Sequence, residues 1–356
     1  MTRGAHHNGS EYTRRVPPPI RDEQALIAKL REIHDAIRAE VVAACARMSV
    51  DQAAAVTGKQ AGDVIYAVDR LSEPVLLERF AALAKEWPCV LVAEGLGETG
   101  RRVLPDGAAE ADAEIVAIVD PIDGTRGLMY QKRPAWVLTG VAAYRGGNET
   151  LADIRLAVQT EIPLHKQRLA DTLWAIEGGG AHAERFDLAS GLRTPLTLRP
   201  STAETVAHGF GGIAKFFSGT RAELADIDDA VVRRLLAGST DPDAIAFDDE
   251  YLTSAGQLYE LMIGHDRWVA DLRPLLIPGL RARGAGDILC AHPYDLCCEL
   301  IAREAGVLVG DVRGGPLSAP LDVTTGVAWA GFANARLAAS VGKALTAELR
   351  ARGLIA

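Results

Sequence analysis

The feature that most restricts this chain's fold is a set of short Val- and Ile-rich runs, none approaching the ~20 apolar residues of a membrane span. The sharpest is Ile115 to Val119, which runs straight into Asp120, Pro121, Ile122, Asp123, Gly124 and Thr125. A short continuous apolar run closed by turn residues reads as a strand buried on both faces. "CVLVAE" at 89–94 has the same character, and "AWVLTGVAAYR", "DIRLAVQ" and "DTLWAIEGG" follow as further strands. Buried strands need helices to cover them. "RDEQALIAKLREIHDAIRAEVVAAC" places Leu26, Leu30, Ile33, Ile37 and Val41 at helical spacing. "SEPVLLERFAALAKEW" predicts a second helix, capped by Ser72, with Pro74 in its first turn and Leu76, Phe80, Leu83 and Trp87 on its apolar face. The first half therefore reads as two long helices against a sheet.

The second half is less regular. "GFGGIAKFFSGTRAELADIDDAVVRRLL" holds a helix after a Gly-rich turn, "AGSTDPDAIAFDDEY" is an acidic loop, and "SAGQLYELMIG" is a helix. "HDRWVADLRP" is a strand or an extended segment. "PYDLCCELIAREAG" has Pro293 at its start, Leu296, Leu300 and Ile301 for burial, and Gly306 as its stop, and "NARLAASVGKALTAELRARG" closes the chain as a helix. The order of elements predicts a layered α/β protein: a flexible arm over 1–20, an N-terminal α+β subdomain over 21–185 and a C-terminal α/β subdomain over 186–356.

Composition excludes some partners. The 356 residues carry a formal net charge of −9, which argues against nucleic acid or an anionic membrane as the partner. An acidic protein that handles an anion needs cations or a local basic patch. Five cysteines without a CxxC pair predict buried free thiols in a reducing compartment. The N-terminal stretch has no apolar h-region, and a soluble cytoplasmic protein is expected.

Asp120 and Asp123 leave their strand close enough to repel unless a cation or a shared proton relieves them. Hard divalent cations such as Mg²⁺ take oxygen ligands from a few carboxylates and from substrate phosphate. The Ile122 carbonyl offers another oxygen, and Gly124 and Thr125 offer backbone N–H groups to an anion. The competing reading is a turn in which an Asp caps the following helix. Glu94 ends an apolar strand ahead of Gly95, placed as a ligand or as a solvated strand end. Asp295 sits in a first helical turn, as a ligand or as a capping carboxylate. Asp63 and Asp69 flank "VIYAV", where Asp69 is a base, an orienting group or a loop residue.

These residues together resemble the inositol monophosphatase family, within the Mg²⁺-dependent, lithium-sensitive phosphatase superfamily that includes fructose-1,6-bisphosphatases and 3'(2'),5'-bisphosphate nucleotidases. "DPIDGT" at 120–125 is similar to its central motif, "DVIYAVD" at 63–69 to its D-x-V-T-x-x-D segment, and "VAEG" at 92–95 to the stretch with its metal-binding Glu. "WAIEGGGAHAE", "YDLCCELIAREAGVLVGDVRGGPL" and "GVAWAGFANARL" fit its Gly-rich hairpin, its W-D-x-A-A-G helix and its closing strand and helix. The likeness spans roughly 21–350 and implies a layered αβαβα sandwich. It implies two or three Mg²⁺ per subunit: one on Glu94, Asp120 and the Ile122 carbonyl, a second on Asp120, Asp123 and Asp295. Gly124 and Thr125 amides would bind phosphate, and Asp69 with Thr125 would orient or deprotonate the attacking water. A phosphomonoesterase for a small polyol or sugar phosphate is implied, working as a cytoplasmic homodimer. A bisphosphate nucleotidase or fructose-1,6-bisphosphatase stands as the alternative, and a non-catalytic phosphate-ligand sensor as a third reading.

The chain departs from the family at several places. Gly95 replaces a second acid, with Glu98 a poorly aligned stand-in. Tyr294 stands for Trp, Cys297-Cys298 for Ala-Ala, and Tyr66 for Thr. Residues 199–255 match no motif, which leaves the phosphorylated alcohol open. His292 is a candidate contact for Asp295, and Arg126, Lys132, Lys59, Lys215, Arg267 and Arg273 are candidate anion or hydroxyl contacts, the competing reading being a surface salt-bridging segment for Arg267 and Arg273 and simple solvation for the others. His165, His182, His208 and His265 read as solvated or packing residues.

Overall fold

The computed structural model describes residues 19–60, 63–97, 99–286 and 288–356, without the side chains of 58–60, 63–65 and 69–71. Of the expected arm only Pro19 and Ile20 are therefore described, and Ile20 is buried in the core. Helix α1 (Glu23–Arg47) opens the chain, with an Asp22 side chain accepting from the Ala25 N–H. A short α2 (Val50–Ala53) leads into the antiparallel hairpin β1 (Val56–Gln60) and β2 (Asp63–Tyr66). Helix α3 (Asp69–Leu83) starts a turn earlier than Ser72: Ser72 is buried inside it, and Pro74 also lies within the helix. The apolar face of the helix sets its extent here, overriding a local cap signal.

Eight strands among the described residues form the large sheet, in the order β10-β9-β8-β7-β6-β5-β3-β4. They are β3 (Cys89–Ala93), β4 (Arg101–Leu104), β5 (Ile115–Asp123), β6 (Ala135–Ala143), β7 (Leu156–Ile162), β8 (Leu169–Ile176), β9 (Ala181–Asp187) and β10 (Arg193–Leu196). Only the β3–β5 pair is parallel. Helix α4 (Thr125–Met129) follows β5 directly. The sheet continues to Leu196, so a division at 185/186 falls inside β9, and the chain passes to the second sheet only before Phe210.

That second sheet has the order β11-β12-β14-β13, from β11 (Phe210–Ile213), β12 (Asp266–Asp271), β13 (Leu308–Asp311) and β14 (Trp329–Phe332). Between its strands come α5 (Arg221–Leu236), α6 (Ser254–Ile263), α7 (Arg273–Ala282), α8 (Pro293–Leu296) and α9 (Glu299–Glu304). The expected single helix over 293–306 is broken at Cys297-Cys298, whereas the strand expected within 265–274 is present as β12; α7 follows it, over residues that carried no helical reading. The closing helix holds a π turn, Ala338–Gly342, between α10 (Ala335–Leu337) and α11 (Lys343–Ala351).

The layers follow from which faces are apolar. Ile115, Ala117 and Val119 of β5 pack with α1 and α3, while Val116 and Ile118 point the other way into the core shared with α6, α8 and α9. The second sheet lies beyond those helices, and α5 and α11 cover its far side. The result is the expected αβαβα sandwich. No described helix is long and apolar enough to cross a membrane. None of the five cysteines is in a disulfide; four are buried and Cys290 is half-buried.

Candidate active site

Two carboxylates three residues apart on a regular strand point to opposite faces. In β5 a bulge removes that conflict. Asp120 pairs with Leu138 and Asp123 with Trp136, so three steps on β5 oppose two on β6. Both carboxylates then reach one side of the sheet. Pro121 sits in the bulge, and the Ile122 N–H donates to Asp120 Oδ1 at 2.9 Å, so the turn is closed by the acid itself. Gly124 follows at φ +99°, a left-handed conformation, and a Cβ there would overlap the Thr253 methyl group.

Asp295 arrives from the opposite layer, in the first turn of α8. The sequence offered a capping role or a ligand role for it, and the cap is present: the His292 N–H donates to Asp295 Oδ2 at 2.6 Å. The same side chain joins the cluster, since one oxygen each from Asp120, Asp123 and Asp295 lie within 4.8 Å of one another. His292 stands 3.7 Å from Asp295 through Nδ1 and stacks on Tyr294 with centroids 5.2 Å apart. The expected His292 contact is therefore realised, and the Tyr in place of Trp supports that imidazole.

The cluster lines a cavity of about 140 Å³ together with Glu94, Ile122, Gly124 and Thr125. Glu94 follows the end of β3 and adds to the negative field at Asp120, but it is not among the three tightly grouped acids. The Thr125 hydroxyl donates to the Ile122 carbonyl at 2.9 Å, tying two expected site groups to each other. Asp69 opens α3, and its side chain, like those of Asp63 and Lys59, lies outside the described residues, as does Glu98.

Electrostatics show what the pocket suits. Burial, then the charges of Asp123, Asp295 and Glu94, push the Asp120 carboxyl well above its ordinary range. Burial and then Asp295 do the same to Asp123, opposed by the Ala255 N–H, which donates to Asp123 Oδ2 at 2.8 Å, and by Thr253. Like charges within 4.8 Å repel by at least about 3 kcal/mol per pair at an effective dielectric near 20. A cation relieves this, and a grouping of carboxylate oxygens with no thiol or imidazole ligand suits a hard divalent ion such as Mg²⁺.

Several pocket residues carried no sequence signal. Thr253, Ser254 and the Ala255 N–H come from the start of α6, and Phe216, Phe217 and Leu289 from loops of the second half. Among the basic candidates, Arg126 and Arg273 line the cavity. Lys132 is exposed, Lys215 is paired with Asp228, Asp248 and Glu250, and Arg267 donates to the Thr205, Ala207 and His208 carbonyls. His208 pairs with Asp241, His265 with Glu260, and His182 stacks on Trp174, so these serve packing and the surface.

No family model matches the sequence, and no curated protein does. Solved structures do match. The extragenic suppressor protein SuhB from Bartonella henselae superposes with a TM-score of 0.61 at 15% identity, over 90% of this chain and 98% of that one. Inositol monophosphatase from Anabaena gives 0.57 at 16% identity, over 92% and 97%. Fructose-1,6-bisphosphatase from Leishmania major, in holo form, gives 0.64 at 11% identity, over 91% and 93%. The chain thus has the fold shared by inositol monophosphatases and fructose-1,6-bisphosphatases.

Proposed function

We propose that this protein is a Mg²⁺-dependent phosphomonoesterase for a small polyol or sugar phosphate. The observation that carries the reading is the meeting of Asp120, Asp123 and Asp295 in one cavity beside Gly124 and Thr125. The fold likeness to phosphatase structures agrees with it.

The three carboxylates, with Glu94 and the Ile122 carbonyl, would hold the metal. When bound, Mg²⁺ neutralises the phosphate and lowers the pKa of coordinated water. The chain's own contribution is placement. The β5 bulge and the Ile122 N–H hold Asp120, the Ala255 N–H holds Asp123, and the His292 N–H holds Asp295. The Gly124 and Thr125 amides are the groups assigned to bind the phosphate, and Thr125 and Asp69 those assigned to orient the attacking water. In-line attack needs such fixed geometry, because a misplaced nucleophile forfeits the benefit of proximity. The reading carries with it a small phosphate ester as ligand, not nucleic acid or a membrane, and a cytoplasmic homodimer.

The test is phosphate release from a panel of inositol and sugar phosphates, fructose 1,6-bisphosphate and adenosine 3',5'-bisphosphate, with Mg²⁺ and with and without Li⁺. Asp123→Asn and Asp295→Asn are expected to lose at least about 100-fold in kcat/KM while remaining folded, as removal of a principal electrostatic group does. Full activity in both variants would overturn the reading.

A further inference from the structure

Phe216 and Phe217 belong to the stretch that matched no motif, yet they line the same cavity as the carboxylate cluster. Both are half-buried. Their rings meet edge to face, with centroids 5.1 Å apart and planes at 82°. Two arginines hold them. The Arg273 guanidinium lies 4.5 Å from the Phe216 centroid and 5.1 Å from that of Phe217, and Arg126 lies 5.2 Å from Phe217. Arg273 is itself fixed: it is 4% exposed, pairs through two nitrogens with Asp271, and donates Nη1 to the Leu289 carbonyl at 2.9 Å. Arg221 donates to the Phe216 carbonyl at 2.8 Å.

The metal chemistry assigned above has no use for such a ring pair. Apolar aromatic surface inside a charged pocket instead suits the carbon skeleton of a ligand, while a few polar groups fix its orientation. We propose that Phe216 and Phe217 are specificity-determining residues whose rings receive the carbon skeleton of the phosphorylated alcohol, selecting a ring alcohol over an open-chain one. This rests on the phosphatase reading of the same site. A ring polyol presents C–H bonds on its face and hydroxyls at its rim. The C–H face packs on the aromatic carbons that line the cavity, while the two arginines stand over the rings and hold them in place. An open-chain alcohol must give up rotational freedom to lie flat, which costs roughly 0.5–1.5 kcal/mol for each flexible group immobilised. Ser254 and His292 line the same cavity and suit the hydroxyl rim.

The experiment compares myo-inositol 1-phosphate with glycerol 1-phosphate, using the full chain and Mg²⁺. The wild type is expected to favour the ring ester in kcat/KM. Phe217→Leu and Phe216→Leu keep apolar bulk but lose the ring face. Each is expected to lower the ring-to-open-chain ratio about tenfold, the scale of an apolar specificity contact, through KM, and Phe217→Tyr to restore it. Equal losses on both esters, or an unchanged ratio, would overturn the proposal. If the wild type turns over neither ester, the platform is tested apart from turnover, and the phosphatase reading falls only if no ester of the panel above releases phosphate. Calorimetric binding of myo-inositol 1-phosphate in Ca²⁺ then decides the platform by itself: weakening by Phe217→Leu supports it, and no weakening or no binding overturns it.

Discussion

At the scale of single residues, the site depends on backbone geometry as much as on charge. Asp120 and Asp123 share a face only because the bulge shifts the strand's two-residue period. Gly124 then turns the chain at φ +99°, where any side chain would be strained and would meet Thr253. Gly124→Ala should therefore cost roughly 1–3 kcal/mol from the left-handed conformation alone. Steric pressure on Thr253 adds to that, because Thr253 caps α6 by accepting from the Gly256 N–H. Urea unfolding should show the loss, and Mg²⁺ titration by thermal shift should show a weakened metal response. A variant as stable and as responsive as wild type would contradict this account. Unlike Thr253, the carboxylates, Gly124 and Thr125 were legible in the sequence as residue types. The face they share was not, because a bulge is a property of paired strands.

At the scale of elements, α8 is positioned by a contact that no helical pattern announces. Cys297 and Cys298 interrupt the helix expected over 293–306 and press on the large sheet, where Cys298 Sγ donates to the Val158 carbonyl at 3.0 Å. Gly140 of β6 makes room. A Cβ there would lie 2.5 Å from the Cys297 carbonyl and 2.7 Å from Ile154 Cδ1. Gly140→Ala is expected to destabilise by about 1–3 kcal/mol through overpacking and to displace Asp295 from its two partners. Calorimetric Mg²⁺ affinity should consequently fall more than the melting temperature predicts; an unchanged affinity would mean that α8 is not placed by this contact. Other elements departed from the sequence pattern for similar reasons. Helix α7 carries Pro274 at its start and Pro278 inside, so its proline content mimics a loop, yet Leu276 and Leu280 find a core to bury in. Buried packing of Ser72 likewise extends α3 beyond its apparent cap.

At the scale of the whole molecule, the sandwich buries polar groups whose titration it must bear. His34 of α1 is fully buried against the large sheet, with Nε2 2.8 Å from Thr139 Oγ1 and Nδ1 3.1 Å from Thr160 Oγ1. Burial, then the nearby Arg38 charge, lowers its pKa from 6.5 to about 3. Between those values the unfolded chain binds the proton and the folded chain does not. This contribution is therefore complete above pH 6.5 and is lost as pH falls toward 3, with a limiting slope of about 1.4 kcal/mol per pH unit. Buried Glu161, raised to about 7 chiefly by burial, acts in the opposite sense, since its ionisation in the unfolded chain weakens the fold as pH rises from 4.5 to 7. The clean measurement is the difference between wild type and His34→Gln in urea midpoint at pH 7.5 and pH 5. The wild type should lose more stability than the variant on acidification, and parallel losses would exclude His34 as the source. At this scale the division between sequence and tertiary structure is plain. By itself the sequence determined the buried strands, the long covering helices and the identity of the acids at the site, because short apolar runs, helical spacing and strand-end carboxylates are local patterns. Tertiary structure decided that Asp295 meets Asp120 and Asp123, that the Ala255 N–H holds an acid 132 residues away, and that Phe216 and Phe217 enter the pocket. Those contacts join separate layers, and they exist only once the apolar faces between the layers have been buried.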